Sequence, residues 1–280
     1  MSAVDTSIDP HPTGAAATFA AAHSFPQALT LYGGWFCPFV QRAWITIHEK
    51  GALHRYVEIN PYRKDPELLE LNPRGLVPTL RVPGKDGEGK ALYESLVVCE
   101  YLEDAFPGGD GEGEATRLLP EDAYEKARCR LWIDHVATRI VPAFYRLLQH
   151  TPEKPYSISE ARNDLITHIK TFVKEMDPAG PWFLGSNFSL TDVALAPWAK
   201  RLFIIDHYKD GGSGIPGDVK GEDAEVWKRW GTWFDAVKER PSVRDTWSDD
   251  EQYIKVYQRY ADDTTQSMVG QATREGKRLP

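Results

Sequence analysis

The run Leu29-Thr30-Leu31-Tyr32-Gly33-Gly34-Trp35-Phe36-Cys37-Pro38-Phe39 sets a thiol between a pair of glycines and a proline. A short apolar strand ends at the glycines, and Pro38 suits the first position of a helix, where its missing N–H is no loss. Cys37 then falls at or just before a helix start, where unpaired amides and the positive end of the dipole favour an anion. An ordinary thiol has a pKa near ~8.5, and helix N-terminal placement brings it to ~3.5–7.5, so the pattern describes a nucleophile. The opposing interpretation is burial, because cysteines outside disulfides mostly pack as small hydrophobes. Cys99 and Cys129 fit that description, each inside an apolar helical pattern. Cys37, flanked by glycines and a proline, is read as reactive.

The elements that must position it alternate through the first hundred residues. Strands are expected over 28–32 and 54–59, with a helix over 38–50 closed by Gly51 between them. A short helix follows at 66–71, then strands at 78–82 and 90–93 joined by the turn-rich stretch Pro83–Gly89, then a helix over 95–105 that stops before Pro107. A βαβ half followed by a ββα half makes a compact α/β sandwich with a mixed four-stranded sheet. Residues 108–120, rich in glycine, read as a linker. Beyond it the periodicity is helical, at 121–149, 158–176, 191–208, 222–239 and 249–261. Residues 1–25 have no basic residue and so match neither a secretory nor a mitochondrial signal. The division expected is a disordered tail over 1–25, an α/β domain over 26–107, the linker, an all-helical domain over 121–262 and a polar tail over 263–280.

Composition bounds the partners. The chain has 280 residues, 41% hydrophobic and 26% charged, which is the balance of a water-soluble globular protein. A net charge of −8 argues against nucleic acid and against an anionic membrane surface, both of which need a basic face. No apolar stretch approaches the ~20 residues of a membrane helix. Three cysteines without a Cys-x-x-Cys, and scattered histidines, point to a reducing, cytoplasmic setting and to no metal site.

With these residues in place, the chain resembles the glutathione transferases. The Cys-Pro-Phe segment is similar to their omega class, which uses cysteine where other classes use tyrosine or serine. The resemblance runs from about Leu29 to about Tyr260. It is carried further by Asn72-Pro73-Arg74-Gly75-Leu76-Val77-Pro78, by Tyr93-Glu94-Ser95 and by Pro181-Trp182-Phe183-Leu184-Gly185. It implies a thioredoxin-like N-terminal domain, an all-helical C-terminal domain, glutathione as a cosubstrate consumed in each cycle, and a homodimer. It also implies a cis Val77–Pro78 peptide, with Val77 offering its main chain to the cysteinyl part of glutathione as an added strand would. Ser95 and the amides after it would hold the γ-glutamyl carboxylate at a helix start, and Glu94 would receive the ammonium. Phe39 and Pro78 belong to the same implied site, and Lys64, or Arg63 beside it, would meet the glycyl carboxylate. Ser189 and Asp192 match the family's helix cap, a folding element worth ~1 kcal/mol.

The acceptor side is less defined. Trp35, Phe36, Trp132 and Tyr145 are expected to line an apolar pocket for a small disulfide or electrophile, and Tyr253, Tyr257 and Tyr260 either cap it or pack as core. Trp227, Trp230 and Trp233 read as a packed face, and His135 as a satisfied helix residue. Position 40 is Val40, so the chemistry implied is monothiol: reduction of mixed disulfides, dehydroascorbate or glutathionyl adducts through a Cys37–glutathione disulfide. Alternatives are a transferase dedicated to one biosynthetic or detoxifying step on an aromatic electrophile, and the glutathionyl-hydroquinone reductases, which have Trp where this chain has Phe39. A further alternative is a non-enzymatic, membrane-inserting protein of the intracellular chloride channel type. Gln41, Arg42, His48, Glu49 and Lys50 make the helix over 38–50 polar for a bilayer.

Overall fold

A computed structural model describes residues 8–63, 65–84, 89–107, 117–217 and 220–279. The expected linker over 108–120 therefore lies mostly outside the described residues, as does the tip of the Pro83–Gly89 turn. The chain forms two compact units, one of residues 1–118 with 239–253, the other of 119–238 with 254–280. The return of 239–253 to the first unit was not foreseen in the linear division into 26–107 and 121–262.

The first unit contains α1 (Gly14–Ala22), β1 (Thr30–Gly33), α2 (Pro38–Glu49), β2 (Arg55–Glu58), α3 (Pro66–Leu71), β3 (Thr79–Pro83), β4 (Gly89–Tyr93) and α4 (Ser95–Ala105). The sheet order is β2-β1-β3-β4, with β1 parallel to β2 and antiparallel to β3, and β3 antiparallel to β4. This is the mixed four-stranded sheet of a thioredoxin-like domain. Alternation along β1 sends Leu31 into the larger core with Val40, Trp44, Ile47, Leu80, Val98 and Leu102, and Tyr32 into a smaller one with Ile59 and Leu68. Helices α2 and α4 pack together, and the Trp44 ring lies parallel to Tyr56 at 4.2 Å.

Within the N-terminal tail over 1–25 expected to be disordered, residues 1–7 lie outside the described residues and Gly14–Ala22 form a helix. Its alanines favour helix, and Phe19 stacks on His48 at 4.7 Å and meets Trp44 at 5.9 Å. The Ala16 N–H donates to the Trp247 carbonyl at 3.2 Å, and the Thr13 N–H to the Ser248 hydroxyl at 3.1 Å. Without an amphipathic stripe the segment gave no sign of the surface that would bind it.

The second unit is helical: α5 (Ala123–His135) and α6 (Val141–Leu148) joined by a π-helical turn at Val136–Ile140, then α7 (Ile158–Lys174), α8 (Leu190–Ala199), α9 (Leu202–Tyr208) and α10 (Ala224–Glu239). A short α11 (Pro241–Arg244) and the first turn of α12 (Asp250–Ala261) belong to the first unit, and the rest of α12 and α13 (Met268–Arg274) to the second. The single helix expected over 191–208 breaks at Lys200 and Arg201, where the buried Arg201 guanidinium donates to the Pro197 carbonyl at 2.7 Å. The expected polar C-terminal tail carries α13, capped by Ser267 and tied to Gln149, whose Nε2 donates to the Gly270 carbonyl at 3.2 Å. Asp192 does more than cap α8. Its carboxylate accepts the Phe183 and Ser189 N–H groups at 2.9 Å each and the Trp233 indole N–H at 2.8 Å. No helix among the described residues is long and apolar enough to cross a membrane.

At the far end of α2 from Cys37, Lys50 and Glu103 form a buried ion pair at 2.6 Å, and Glu103 also accepts the Leu118 N–H at 3.1 Å. Removing one partner of such a pair strands a buried charge. Lys50→Met is expected to lower the unfolding free energy by about 3–5 kcal/mol in urea denaturation. Lys50→Met with Glu103→Leu should recover part of that loss, and an additive double mutant would show the pair to be unimportant.

Candidate active site

The β1–α2 junction is built by close approach. A Cβ on Gly33 would stand 2.4 Å from Val40 Cγ1, and one on Gly34 would stand 3.0 Å from the Ile59 carbonyl oxygen. The glycine pair thus lets strand, loop and helix lie against one another. The Cys37 N–H donates to the Gly34 carbonyl at 2.9 Å, and the Cys37 carbonyl accepts the Gln41 N–H at 3.0 Å, the first bond of α2. Cys37 is the N-cap, extended at φ −79 and ψ 120, with Pro38 at the first helical position. It is half-buried, whereas Cys99 and Cys129 are buried thiols. Burial pushes the Cys99 thiol up to about 11, while the Thr46 hydroxyl donates to its sulfur at 3.2 Å.

Cys37 and Val77 pack against the same core, and the Val77–Pro78 peptide is cis, as the resemblance implies. Ser95 opens α4 and is buried. Its hydroxyl accepts from Arg42 Nη1 at 3.4 Å, so a buried guanidinium of α2 stands behind the residue that starts α4. Glu94, the N-cap of α4, has φ +70, a backbone setting rare for a residue with a side chain. Such outliers gather at ligand sites. Its exposed carboxylate pairs with the Arg74 guanidinium. Phe39 is half-buried beneath Arg42, whose guanidinium carbon lies 5.7 Å from the ring centroid. Lys64 lies outside the described residues, and Arg63 is exposed, its N–H bonded to the Asn60 carbonyl at 2.9 Å.

The aromatic residues expected to line a pocket are mostly spent on protein. Trp35 and Phe36 are buried and meet edge to face at 5.6 Å, and Trp35 also meets Tyr253 at 5.2 Å. Tyr145 is buried against Phe144 and Tyr260. Trp132 is half-buried beside His135, Phe172 and Phe183. Tyr253, Tyr257 and Tyr260 are all buried, which makes them core, as are Trp227, Trp230 and Trp233. His135 Nε2 bonds the His168 carbonyl at 3.0 Å, the satisfied role expected of it.

Sequence reasoning missed Arg42, Arg74 and Glu58. Arg74 stands in a run that carried the resemblance and Arg42 three residues after another, but nothing local says that their side chains reach Glu94 and Ser95. Glu58 ends β2, and its carboxyl accepts the Trp35 N–H at 2.9 Å and the Tyr56 hydroxyl at 2.7 Å. Burial pushes this carboxyl up to about 8 against the pull of those two donors. An unfolded glutamate ionises near ~4.3. The stability that the neutral form supplies is complete below that value and is lost as pH rises through about 8. Glu58→Gln cannot ionise, so its melting temperature relative to the parent chain should climb between about pH 5 and about pH 8 and then level off. Thermal melts across that range check it, and a difference independent of pH would contradict it.

Known proteins share this sequence pattern and fold. A family model described as the glutathione S-transferase N-terminal domain matches residues 36–105, and one for the C-terminal domain matches 155–236. Glutathione S-transferase omega-1 of Sus scrofa is 32% identical over 184 residues, 65% of this chain and 70% of the relative. Pyrimidodiazepine synthase of Drosophila melanogaster is 26% identical over 77% of this chain and 79% of the relative. Among solved structures, glutathione transferase Omega 3C from Trametes versicolor is 40% identical, with a TM-score of 0.76 over 92% of this chain and 100% of that one.

Proposed function

The chain belongs to the glutathione S-transferase family and is omega-like in type, and we propose that within it this protein is a cysteine-type thiol transferase. The observation that carries the reading is Cys37 itself, a half-buried thiol at the N-cap of α2, followed by Pro38 and with Val40 where a second cysteine would resolve a disulfide. In the reaction, the Cys37 thiolate attacks the glutathionyl sulfur of a mixed disulfide. A Cys37–glutathione disulfide forms, and the substrate leaves as a thiolate that takes a proton from water. The thiolate of a second glutathione then attacks that disulfide, which releases oxidised glutathione and restores Cys37. Dehydroascorbate enters after glutathione adds to its carbonyl as a thiohemiketal. The Cys37 thiolate attacks that sulfur, and the C–S bond breaks with its electron pair leaving on carbon as ascorbate. A glutathionyl adduct α to a carbonyl reacts in the same way, its enolate taking a proton from water.

Glutathione binds as substrate, with Val77 and Pro78 beside its cysteinyl part and Ser95 and the first amides of α4 on the γ-glutamyl carboxylate. Glu94 takes the ammonium, and its pairing with Arg74 supports that role by holding the carboxylate at the helix start. Phe39 completes the site, Lys64 or Arg63 meets the glycyl carboxylate, and the working form is a homodimer. A second reading, a transferase dedicated to one aromatic intermediate, is supported by the likeness to pyrimidodiazepine synthase. Trp132, with part of its surface accessible, belongs to the acceptor side in either reading.

The test is glutathione-dependent reduction of a small mixed disulfide with chlorodinitrobenzene conjugation measured in parallel. Cys37→Ser should lose at least about a hundredfold of the reductase activity while keeping or gaining conjugation. A serine variant that still reduces the disulfide would refute the nucleophile. A parent chain that binds glutathione but is inactive in both assays would favour the dedicated transferase.

A further inference from the structure

Trp35, two residues before Cys37, is held by three segments far from it in sequence. Its N–H donates to Glu58 Oε1 at 2.9 Å, its carbonyl accepts the Tyr253 hydroxyl at 3.5 Å, and its indole N–H donates to the Asp9 carbonyl at 3.0 Å. The first of these is the shortest and ends on a carboxyl. The other oxygen of that carboxyl is occupied as well, by the Tyr56 hydroxyl at 2.7 Å. Glu58 and Tyr56 are two residues apart on β2, so they share one face of the sheet. The Tyr56 ring in turn lies flat on Trp44 of α2, the helix that Cys37 caps. One chain of contacts therefore runs from α2 through Trp44, Tyr56 and Glu58 to the main chain of the loop that carries the thiol.

A carboxyl is a costly choice for this place. Burial holds it near 8, and a neutral or apolar side chain would avoid the desolvation. Strand formation does not ask for glutamate either, since β2 has no need of it for pairing. The titratable groups that act on Tyr56 here are Glu58 from β2, Tyr253 from α12 and Cys37 at the start of α2. What distinguishes Glu58 among them is its bond to the loop amide.

We propose that Glu58 is a positioning residue for Cys37: by accepting the Trp35 N–H with one oxygen while Tyr56 fixes the other, it holds the Gly33–Cys37 loop so that the thiol stands at the first turn of α2. Glu58 touches no substrate. Its effect passes through the loop, to the exposure of Cys37 and to its place at the helix start. The proposal rests on Cys37 being the nucleophile.

The test reads the thiol directly, without glutathione turnover. The full chain is treated with iodoacetamide near neutral pH, and modification of the Cys37 peptide is followed by mass spectrometry. Glu58→Gln keeps an acceptor for the Trp35 N–H and should alkylate within about threefold of the parent chain. Glu58→Asp keeps the carboxyl but is one methylene too short to reach the Trp35 N–H, and should alkylate about tenfold more slowly. In the disulfide assay Glu58→Asp should also lower kcat by about tenfold to a hundredfold, with KM for glutathione nearly unchanged. A merely structural role would lower the melting temperature of Glu58→Asp and leave the alkylation rate at the parent value, which would overturn the proposal. Equal losses in Glu58→Gln and Glu58→Asp would overturn it too. If Glu58→Asp does not fold, Tyr56→Phe carries the test: alkylation slowed about threefold supports the proposal, and an unchanged rate overturns it. A parent chain whose Cys37 alkylates readily yet reduces no disulfide defeats the functional reading and leaves the comparison of Glu58 variants intact.

Discussion

Helix α2 is buried from Pro38 through Ile47 on all but one residue, and its start cannot shift without unpacking the core. This is the constraint on which the candidate site depends. A helix start offers amides without intrahelical partners, and this protein fixes such a start in place and puts a half-buried thiol there. The glycine pair before it exists because Val40 and Ile59 leave no room for a Cβ. Chemistry and packing therefore make the same demand on the loop, that it be short, close and rigid.

Polar residues of α2 and its C-cap extend that constraint to α4. Arg42 reaches the Ser95 hydroxyl and Lys50 reaches Glu103, each across the packed helix pair. Apolar contact alone allows one helix to slide on another by small steps, but a hydrogen bond has a preferred length and direction. Two such bonds at opposite ends of α4 set its register against α2. The element that carries the thiol and the element assigned to the γ-glutamyl carboxylate are thereby kept at one spacing.

Much of this was legible in the sequence because the signals are local. The strand-Gly-Gly-x-x-Cys-Pro run, the Pro66 helix start and the capping box at Ser189 each declare themselves within a few residues. The order of elements in the first unit followed from them. What stayed hidden needed partners distant in the chain. The helix at Gly14–Ala22 is a run of alanines with one useful aromatic, and only the Trp44, His48 and Trp247 surface gives it a place. Glu58 reads as an ordinary strand-end charge until the parallel register of β1 and β2 sets it beside the loop. Trp35 and Tyr145, expected to line a pocket, are buried against Tyr253 and Tyr260, ring contacts with residues more than a hundred positions away that no local pattern announces. The positive φ of Glu94 has no signature at all in a residue that is not glycine.

The discontinuous first unit has a consequence for how the protein is made. When residues 1–118 have left the ribosome, the loop at Trp35 still lacks Tyr253, and Glu49 of α2 still lacks Arg240 and Ser242. Those partners arrive with residues 239–253, only after residues 119–238 have been synthesised. A nascent or stalled chain thus carries its thiol in an unfinished setting. The loop that carries Cys37 gains its last partners only once residues 239–253 are made, so a fragment ending before them holds the thiol in a loop without the Tyr253 hydroxyl.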